Sequence, residues 1–444
     1  MTQTTLHPSA ILAGIAAAAL ALVPLAAQAQ IVKAADQAKA AQQHPQVLAQ
    51  FGGAIEGPLG SYVTSIGNKT AKAAGLDGQC KFTVVNSDVV NAFAVPGCYI
   101  YVTRGLLTIM NSEDELASVL GHEIGHIVAK HSYRRQRAST LSTLGAIALG
   151  LATKSSSVMQ QAGQLAQVFT LSYSRAQENE SDTYGVQYLA ANGYNLYAAP
   201  DMLGALGAQE ALDAKVNKRE ANAVPNWARS HPVSTERVAR TSAAAKAAGA
   251  TPTNPPERVA PYFAAINGMS VGDDAEQGFI NGRNFSHPKL KLAFEAPEGF
   301  VMANAPQALT LQGPGNLQGQ FTGGGVLSGG LDAYATTAMR AILGKASAQM
   351  GSPQASNING IPAVSLLARA QSSNGQSVDV AIMAYDIGGR AYHFILTGPA
   401  GGLNPTYAMT QSMRRLSDSE AAALRSRQIE IVTVRNGDTI ASLA

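Results

Sequence analysis

Charge is scarce in this 444-residue chain: Asp, Glu, Lys and Arg make up 14% of it, and the net charge is +3. So small an excess gives no case for a nucleic-acid surface. No stripe of basic and aromatic residues suggests one either, and the short cluster Arg134, Arg135 and Arg137 reads as a solvated helix end. Tryptophan occurs once and cysteine twice. Two cysteines, Cys80 and Cys98, are too few for a disulfide-stapled small fold, and without further ligands at metal spacing they exclude a zinc ribbon. The apolar runs Ile11–Leu25 and Leu141–Thr153 fall short of the roughly 20 residues a membrane-spanning helix needs.

What is present is a globular composition, 46% hydrophobic, long enough for two or three domains. The opening residues carry no Lys or Arg, yet Ile11–Leu25 followed by Ala27-Gln28-Ala29 has the apolar core and small-x-small cleavage site of an export signal. Residues 1–29 are therefore expected to be removed, leaving a mature chain without a transmembrane anchor in a bacterial periplasm. In that oxidising compartment Cys80 and Cys98, which flank a segment that reads as a β-hairpin, are expected to pair, with two free buried thiols as the alternative. The hairpin would run Lys81–Asn86, turn near Ser87-Asp88, and continue extended to Val102. Pro96-Gly97 interrupts the second arm and marks it as an edge strand. Leu141–Thr153 reads as a buried helix, with a lid or membrane-touching segment as the alternative.

The chemistry centres on His122-Glu123-Ile124-Gly125-His126. Histidines four apart on a helix share a face and can reach one metal ion, with a glutamate beside the first placed to activate a water. Ser112-Glu113-Asp114-Glu115 supplies a capping box at the start of that helix, and Leu116, Val119, Leu120, Ile124, Ile127 and Val128 recur at helical spacing. Gly121 and Gly125 weaken a helix, so a close neighbouring backbone is expected against them. His131, five positions after His126, sits at a poor angle and reads as a helix-end histidine. A long helical pattern from Met159 to Gly193 carries Glu178 and Asp182, four apart on one face. One of these carboxylates can complete the metal site while the other orients a ligand histidine. Glu180 points elsewhere and reads as solvated.

With Val90-Asn91-Ala92-Phe93-Ala94, Pro96-Gly97, Tyr101-Val102-Thr103-Arg104-Gly105-Leu106-Leu107, the histidine motif, Glu178/Asp182 and Arg229-Ser230-His231-Pro232 with Glu236-Arg237 in order, the chain resembles the HtpX and CaaX-prenyl-protease family of gluzincin peptidases. The likeness is to its periplasmic BepA- and LoiP-type members and covers roughly residues 40 to 245. It implies one Zn2+ per chain on His122, His126 and Glu178, with Asp182 behind them and Glu123 as general base. It also implies a substrate strand at Asn91, Ala92 and Phe93, and a catalytic or metal-capping His231. Cys98 stands where the family commonly has a second glycine.

The rest is less explicit. Ala243–Pro256 reads as linker. Beyond it, strands at Leu290–Phe294, Leu309–Leu311, Ala363–Leu367, Val378–Tyr385 and Tyr392–Leu396 and helices at Leu331–Met350 and Tyr407–Leu416 suggest a mostly antiparallel α+β domain, loosely similar to a PsbP/Mog-like sandwich. His287 and His393 there read as turn and packing residues. Ile431–Ala444 looks like the opening of a LysM module. The fold class expected is thus α+β: a mainly helical zincin-type catalytic domain with a small β-sheet or hairpin at 30–250, a linker at 251–270, an α+β domain at 271–428 and an incomplete LysM-like segment at 429–444. The expected activity is proteolysis of misfolded or envelope proteins, with protein or peptide substrates, outer-membrane assembly or cell-wall partners and no nucleic acid. The alternatives are a chaperone-like peptide binder with a closed metal site and a cell-wall adaptor.

Overall fold

The computed structural model describes residues 31–135, 173–216, 231–304, 306, 308–344, 346–371 and 375–443. The expected export signal at residues 1–29, Leu141–Thr153, Lys154–Ser157, the start of the helical pattern at Met159, and Arg229 with Ser230 lie outside them. The described chain is α+β, helical in its first part and sheet-rich in its second.

Helices α1 (Ala34–Gln50) and α2 (Gly57–Ala73) come first; α2 buries Leu59, Val63, Ile66 and Thr70 at helical spacing. A three-stranded sheet follows: β1 (Lys81–Val85), β2 (Ala92–Val95) and β3 (Tyr99–Thr103), in the order β1-β3-β2. This corrects the expected hairpin. β1 does not pair with the run that follows it; it lies parallel to β3, with Lys81 opposite Tyr99. The hairpin is instead β2–β3, turning at Pro96-Gly97-Cys98. Gly97 and Cys98 both have positive φ there, +97° and +59°. A side chain on Gly97 would meet the Asp36 carbonyl oxygen at 2.6 Å. The parallel register also brings Cys80 beside Cys98 at the entrances of two neighbouring strands, and they form a disulfide with Cα atoms 4.6 Å apart.

Helix α3 (Arg104–Leu107) leads to α4 (Glu113–Val128). The Ser112 hydroxyl caps α4 by accepting from the Glu115 N–H at 3.1 Å. The reciprocal arm differs from a capping box, because Glu115 accepts from the N–H of Asn111, one residue upstream of the cap, at 2.6 Å. Helix α5 (Arg175–Ala191) starts with a full capping box, Ser174 with Gln177, and stops at Gly193, φ +66°. A Cβ on Gly121 would lie 3.2 Å from Gly185 Cα, and one on Gly125 would lie 3.1 Å from Ser181 Cα. The glycines that weaken α4 as a helix thus let α5 cross it at near-backbone contact. That crossing carries the site.

Helices α6 (Ala198–Val216), α7 (Thr235–Ala247) and α8 (Val259–Ile266) follow. Residues 243–247, read as the start of a linker, are the last turn of α7. The segment after it packs on the helical half. Tyr262, fully buried, donates its hydroxyl to Leu107 O at 2.6 Å, and Arg258 binds Asp114 through its backbone N–H and its guanidinium. The guanidinium of buried Arg104 donates to Ser270 O and Gly272 O on the sheet-rich side, at 2.6 and 2.9 Å.

That side holds β4 (Ser270–Val271), β5 (Phe279–Asn281), β6 (Asn284–His287), β7 (Leu292–Glu295), β8 (Val301–Ala303), β9 (Leu309–Gln312), β10 (Gln318–Val326), α9 (Gly330–Leu343), β11 (Ala348–Met350), β12 (Gln354–Ile358), β13 (Ile361–Gln371), β14 (Ser377–Asp386) and β15 (Arg390–Pro399). The main sheet runs β11-β13-β14-β15-β10-β9-β8, with β12 also on β13 and every pairing antiparallel. Helix α9 packs Ala335 and Met339 on β13 and β14, while Phe294, Phe321, Tyr385 and Phe394 fill another core. Two expected helices are shorter: α9 ends at Leu343 and residues 348–350 form β11, and the helix from Tyr407 stops at Gln411 before a short strand, Arg414–Arg415. In the segment resembling a LysM opening, Ile429 and Ile431 bond back to Met269 and Asn267, and Ile440–Leu443 forms one helical turn. No helix among the described residues is long and apolar enough to cross a membrane.

Candidate metal centre

Helix α4 projects His122, Glu123 and His126 toward α5, all buried. Glu178 comes from the first turn of α5, and His231 from the residues just before the Ser234 cap of α7. Their donor atoms converge. His122 Nε2 lies 3.0 Å from His126 Nε2 and 3.3 Å from His231 Nδ1. The Glu178 oxygens lie 3.5 Å from His122 Nε2, 3.6 Å from His126 Nε2 and 3.1 Å from His231 Nδ1. Four donors bound tetrahedrally to one ion at zinc–ligand distances would be about 3.3 Å apart. The set therefore fits a single four-coordinate ion.

Glu123 also lies in this cluster; His122, Glu123, His126 and His231 offer ligand atoms within 4.8 Å of one another. Of the two glutamates, Glu178 is the better ligand, because it touches all three imidazoles. Glu123 approaches only His231 Nε2, at 3.6 Å. Both Glu123 oxygens are buried and make no hydrogen bond among the described residues. The Ala94 backbone on β2 favours its charged form without meeting hydrogen-bond geometry. Burial pushes the Glu123 carboxyl up, and the neighbouring His231 and His122 only partly reverse this. A buried carboxylate left without donors is costly unless a ligand supplies them.

The surroundings set the charges. Burial works against a charged His122, but Asp182 and Glu178 outweigh it and raise its pKa to about 9. Burial, reinforced by His122, holds His126 well below the usual histidine value. Burial would raise Glu178, yet His231 and His122 hold it well below the carboxylate range.

Asp182 accepts from His122 Nδ1 at 2.9 Å, which presents the Nε2 lone pair toward the centre. Arg237 on α7 grips Asp182 with Nε and Nη2 at 2.8 and 2.7 Å and reaches Glu178 at 2.8 Å. Burial would raise the Asp182 carboxyl, yet Arg237 and His122 outweigh it and hold it below the usual carboxylate value. The Tyr173 ring lies flat on His126, centroids 3.8 Å apart, with the Arg135 guanidinium 4.5 Å from that ring.

Sequence spacing assigns no site role to Arg237 or Tyr173 and makes His131 a helix-end residue. Arg237 stood in the right motif, six positions after His231, and only the fold shows both carboxylates within its reach. The five-residue spacing from His126 predicts a poor angle for His131 toward the metal. It is fully buried and its Nδ1 sits 2.8 Å from His126 Nδ1. Glu180, read as solvated, is half-exposed but pairs with His131 and Arg134.

The residues expected to form a substrate strand lie in and beside β2, which packs against α4 and is an edge of its sheet. Asn91 N–H donates to Thr103 Oγ1, while Ala92 and Phe93 pair with Val102 and Tyr101. Phe93 stacks on Tyr101 and meets the Phe51 ring at a tilt of 37°. His287 and His393 join no such cluster: His287 Nδ1 accepts from Leu290 N–H in a turn, and His393 meets the Tyr334 hydroxyl.

Two helices crossing at glycines, a buried imidazole and carboxylate donor set, and a glutamate without hydrogen bonds beside it make a site that could hold a metal ion. The chain belongs to Peptidase family M48, whose description matches residues 60–245. It is 33% identical over 167 residues to the beta-barrel assembly-enhancing protease of Yersinia pestis, covering 35% of this chain and 34% of that one. It is 30% identical over 199 residues to Metalloprotease YcaL of Escherichia coli (strain K12), covering 42% of this chain and 74% of that one. The match thus spans about a third of the Yersinia protein. Among solved structures, the cyanobacterial PsbP of Synechocystis sp. PCC 6803 matches at 12% identity over 31% of this chain and 98% of that one, with a TM-score of 0.26.

Proposed function

We propose that this chain is a zinc-dependent endopeptidase, with Zn2+ held by His122, His126 and Glu178 and with Glu123 as general base. One observation carries the reading: the donor set has tetrahedral spacing and the buried carboxylate beside it has no hydrogen-bond partner. Imidazole and carboxylate donors suit zinc. Zinc, when bound, supplies a Lewis acid for the scissile carbonyl and makes a water acidic enough to attack near neutral pH. Glu123, made more basic by burial, takes the proton of the attacking water and delivers it to the leaving amine, as a C–O bond replaces the C–N bond. Asp182 holds His122 in the tautomer that presents Nε2, and Arg237 holds Asp182. β2 offers an extended peptide an edge to pair with.

His231 occupies the fourth corner of the donor set, the place a catalytic site keeps open for water or substrate. This arrangement is the closed form of the site, and substrate entry requires His231 to withdraw. The family match favours this reading over a binding-only envelope protein.

The disulfide fits a periplasmic setting, as does the export signal expected from the sequence. Misfolded envelope proteins are the substrate class we propose, with outer-membrane β-barrel assembly as the process served, by analogy with the name of the Yersinia relative. We propose a peptidase domain at 30–250 and a C-terminal domain at 271–428. The test is degradation of casein by the full chain. Glu123→Gln is expected to lower the rate by about 10²- to 10⁴-fold with metal still bound, and His231→Ala to raise it several-fold. Wild-type rates in Glu123→Gln would end the peptidase reading, and a loss in His231→Ala would make His231 part of the reaction instead of its gate.

A further inference from the structure

The two motif histidines are supported from behind in different ways. His122 Nδ1 meets a carboxylate directly, Asp182 Oδ1 at 2.9 Å. His126 Nδ1 meets the imidazole of His131, Nδ1 to Nδ1 at 2.8 Å. His131 Nε2 then lies 3.1 Å from Glu180 Oε2, and the same oxygen accepts from Arg134 Nη1 at 2.8 Å. We propose that His131 and Glu180 are a positioning pair for His126, a two-residue counterpart of Asp182. This rests on the metal-site reading given above.

The argument is one of hydrogen placement. Two imidazole nitrogens at 2.8 Å share one hydrogen. If His126 presents its Nε2 lone pair to an ion, that hydrogen is on its Nδ1, and His131 Nδ1 accepts it. His131 then carries its own hydrogen on Nε2, where the Glu180 carboxylate accepts it. One assignment satisfies every contact from the metal corner to the surface, and it fixes the ring plane as well as the tautomer.

The backbone is shaped for this. In a continuing helix, a residue five positions after His126 would turn away from it. Here α4 ends at Val128 and Lys130 adopts φ +54°, a left-handed turn after which a new helical turn begins. That turn brings His131 back beneath His126. Its place is further held by Gln177 Nε2, which donates to His131 O at 3.3 Å, and by Ser181 Oγ, 3.4 Å from Nδ1. Gln177, Glu180 and Ser181 all lie on α5, the helix that also carries Glu178 and Asp182. A single helix therefore supplies a metal ligand and the outer supports of both histidines.

The test compares metal affinity in the full chain, by competition of Zn2+ with a chromophoric chelator, together with the visible spectrum of the Co2+ form. His131→Phe is expected to weaken zinc binding by about 10- to 100-fold and to alter the cobalt bands. His131→Gln, whose amide oxygen can still accept from His126, should restore most of that loss. Glu180 is 39% exposed at its side chain, so Glu180→Gln is expected to fold normally and still weaken binding by a few-fold. If wild type binds no stoichiometric metal, the metal-site reading itself falls. If wild type binds and both His131→Phe and Glu180→Gln match it in affinity and cobalt spectrum, the positioning proposal is overturned.

Discussion

Around the α4–α5 crossing the helical half buries His122, Glu123, His126, His131, Glu178, His231 and Arg237. In the sheet-rich half, among the described residues after 271, the buried acids, bases and histidines are Asp379 and His393. Those two are settled locally, Asp379 by Arg369 and a Gly401 N–H, His393 by Tyr334. Desolvating charged groups costs a fold several kcal/mol each unless they are well paired. A concentration of them in one place therefore marks chemistry, while the other half shows what the same chain does when packing alone decides. The same contrast appears in the glycines, which bring two helices together at the site and elsewhere serve turns and a bulged strand.

Arg237 sharpens this comparison most. Its side chain is 4% exposed, and Arg237→Met would take from Glu178 and Asp182 their shared cation, leaving only their histidine partners, at a cost of about 3–5 kcal/mol. Arg369, half exposed at 50%, pairs with Asp379, and Arg369→Met should move the melting temperature little. Denaturant unfolding of both variants checks the pair, and equal losses would erase the distinction between the two halves.

The covalent tie is also confined to the helical half. Opening the Cys80–Cys98 loop, with a sequence separation of 18, by Cys80→Ser with Cys98→Ser should cost about 3 kcal/mol. Thermal melts with and without reductant measure it; an unchanged wild-type melt in reductant would show that the bridge does not matter.

A pH series separates metal from proton. With Asp182 and Glu178 overcoming burial to raise His122 to about 9, that group in the metal-free fold is protonated at neutral pH. It stabilises the metal-free fold fully below its unfolded value of about 6.5, and this gain is lost as pH rises through about 9. Metal loading runs the other way, since the ion must displace the proton. Zinc affinity should therefore fall about tenfold per pH unit from 9 toward 7. A flat affinity over that range would contradict the charge arrangement.

The smallest effects come from glycine. Gly125→Ala forces α5 to give way and should cost about 1–3 kcal/mol, with weaker metal binding. Gly204→Ala on α6 meets nothing within 4 Å and should stabilise by about 0.5–1 kcal/mol. Matched melts of the two variants, changing in opposite directions, would confirm that only the first glycine is a packing requirement.

What could be read in advance followed the same division. Ser112, the apolar spacing after it and the His-Glu-x-x-His run made α4 legible, because local capping and periodicity coincide there. Glu178 and Asp182 were legible as a pair on one helix face. His131 was not, since its role depends on a left-handed turn at Lys130 that neither spacing nor propensity announces. The parallel pairing of β1 with β3 was hidden too, because residues 86–91 carry the chain past its neighbour before the hairpin forms. In the sheet, β13, β14 and β15 showed as runs of β-formers. β10, Gln318–Val326, did not: it is rich in glycine and buries Phe321 as its one large side chain, so only pairing with β15 and β9 makes it a strand.

The central claim is tested most directly by stripping the full chain of metal, restoring zinc stepwise, and following casein cleavage. Cleavage should be absent from the stripped protein and complete its return at one equivalent of zinc, and Glu123→Gln should take up the same equivalent and remain inactive. Cleavage by the stripped protein, or by metal-loaded Glu123→Gln at the wild-type rate, would contradict it.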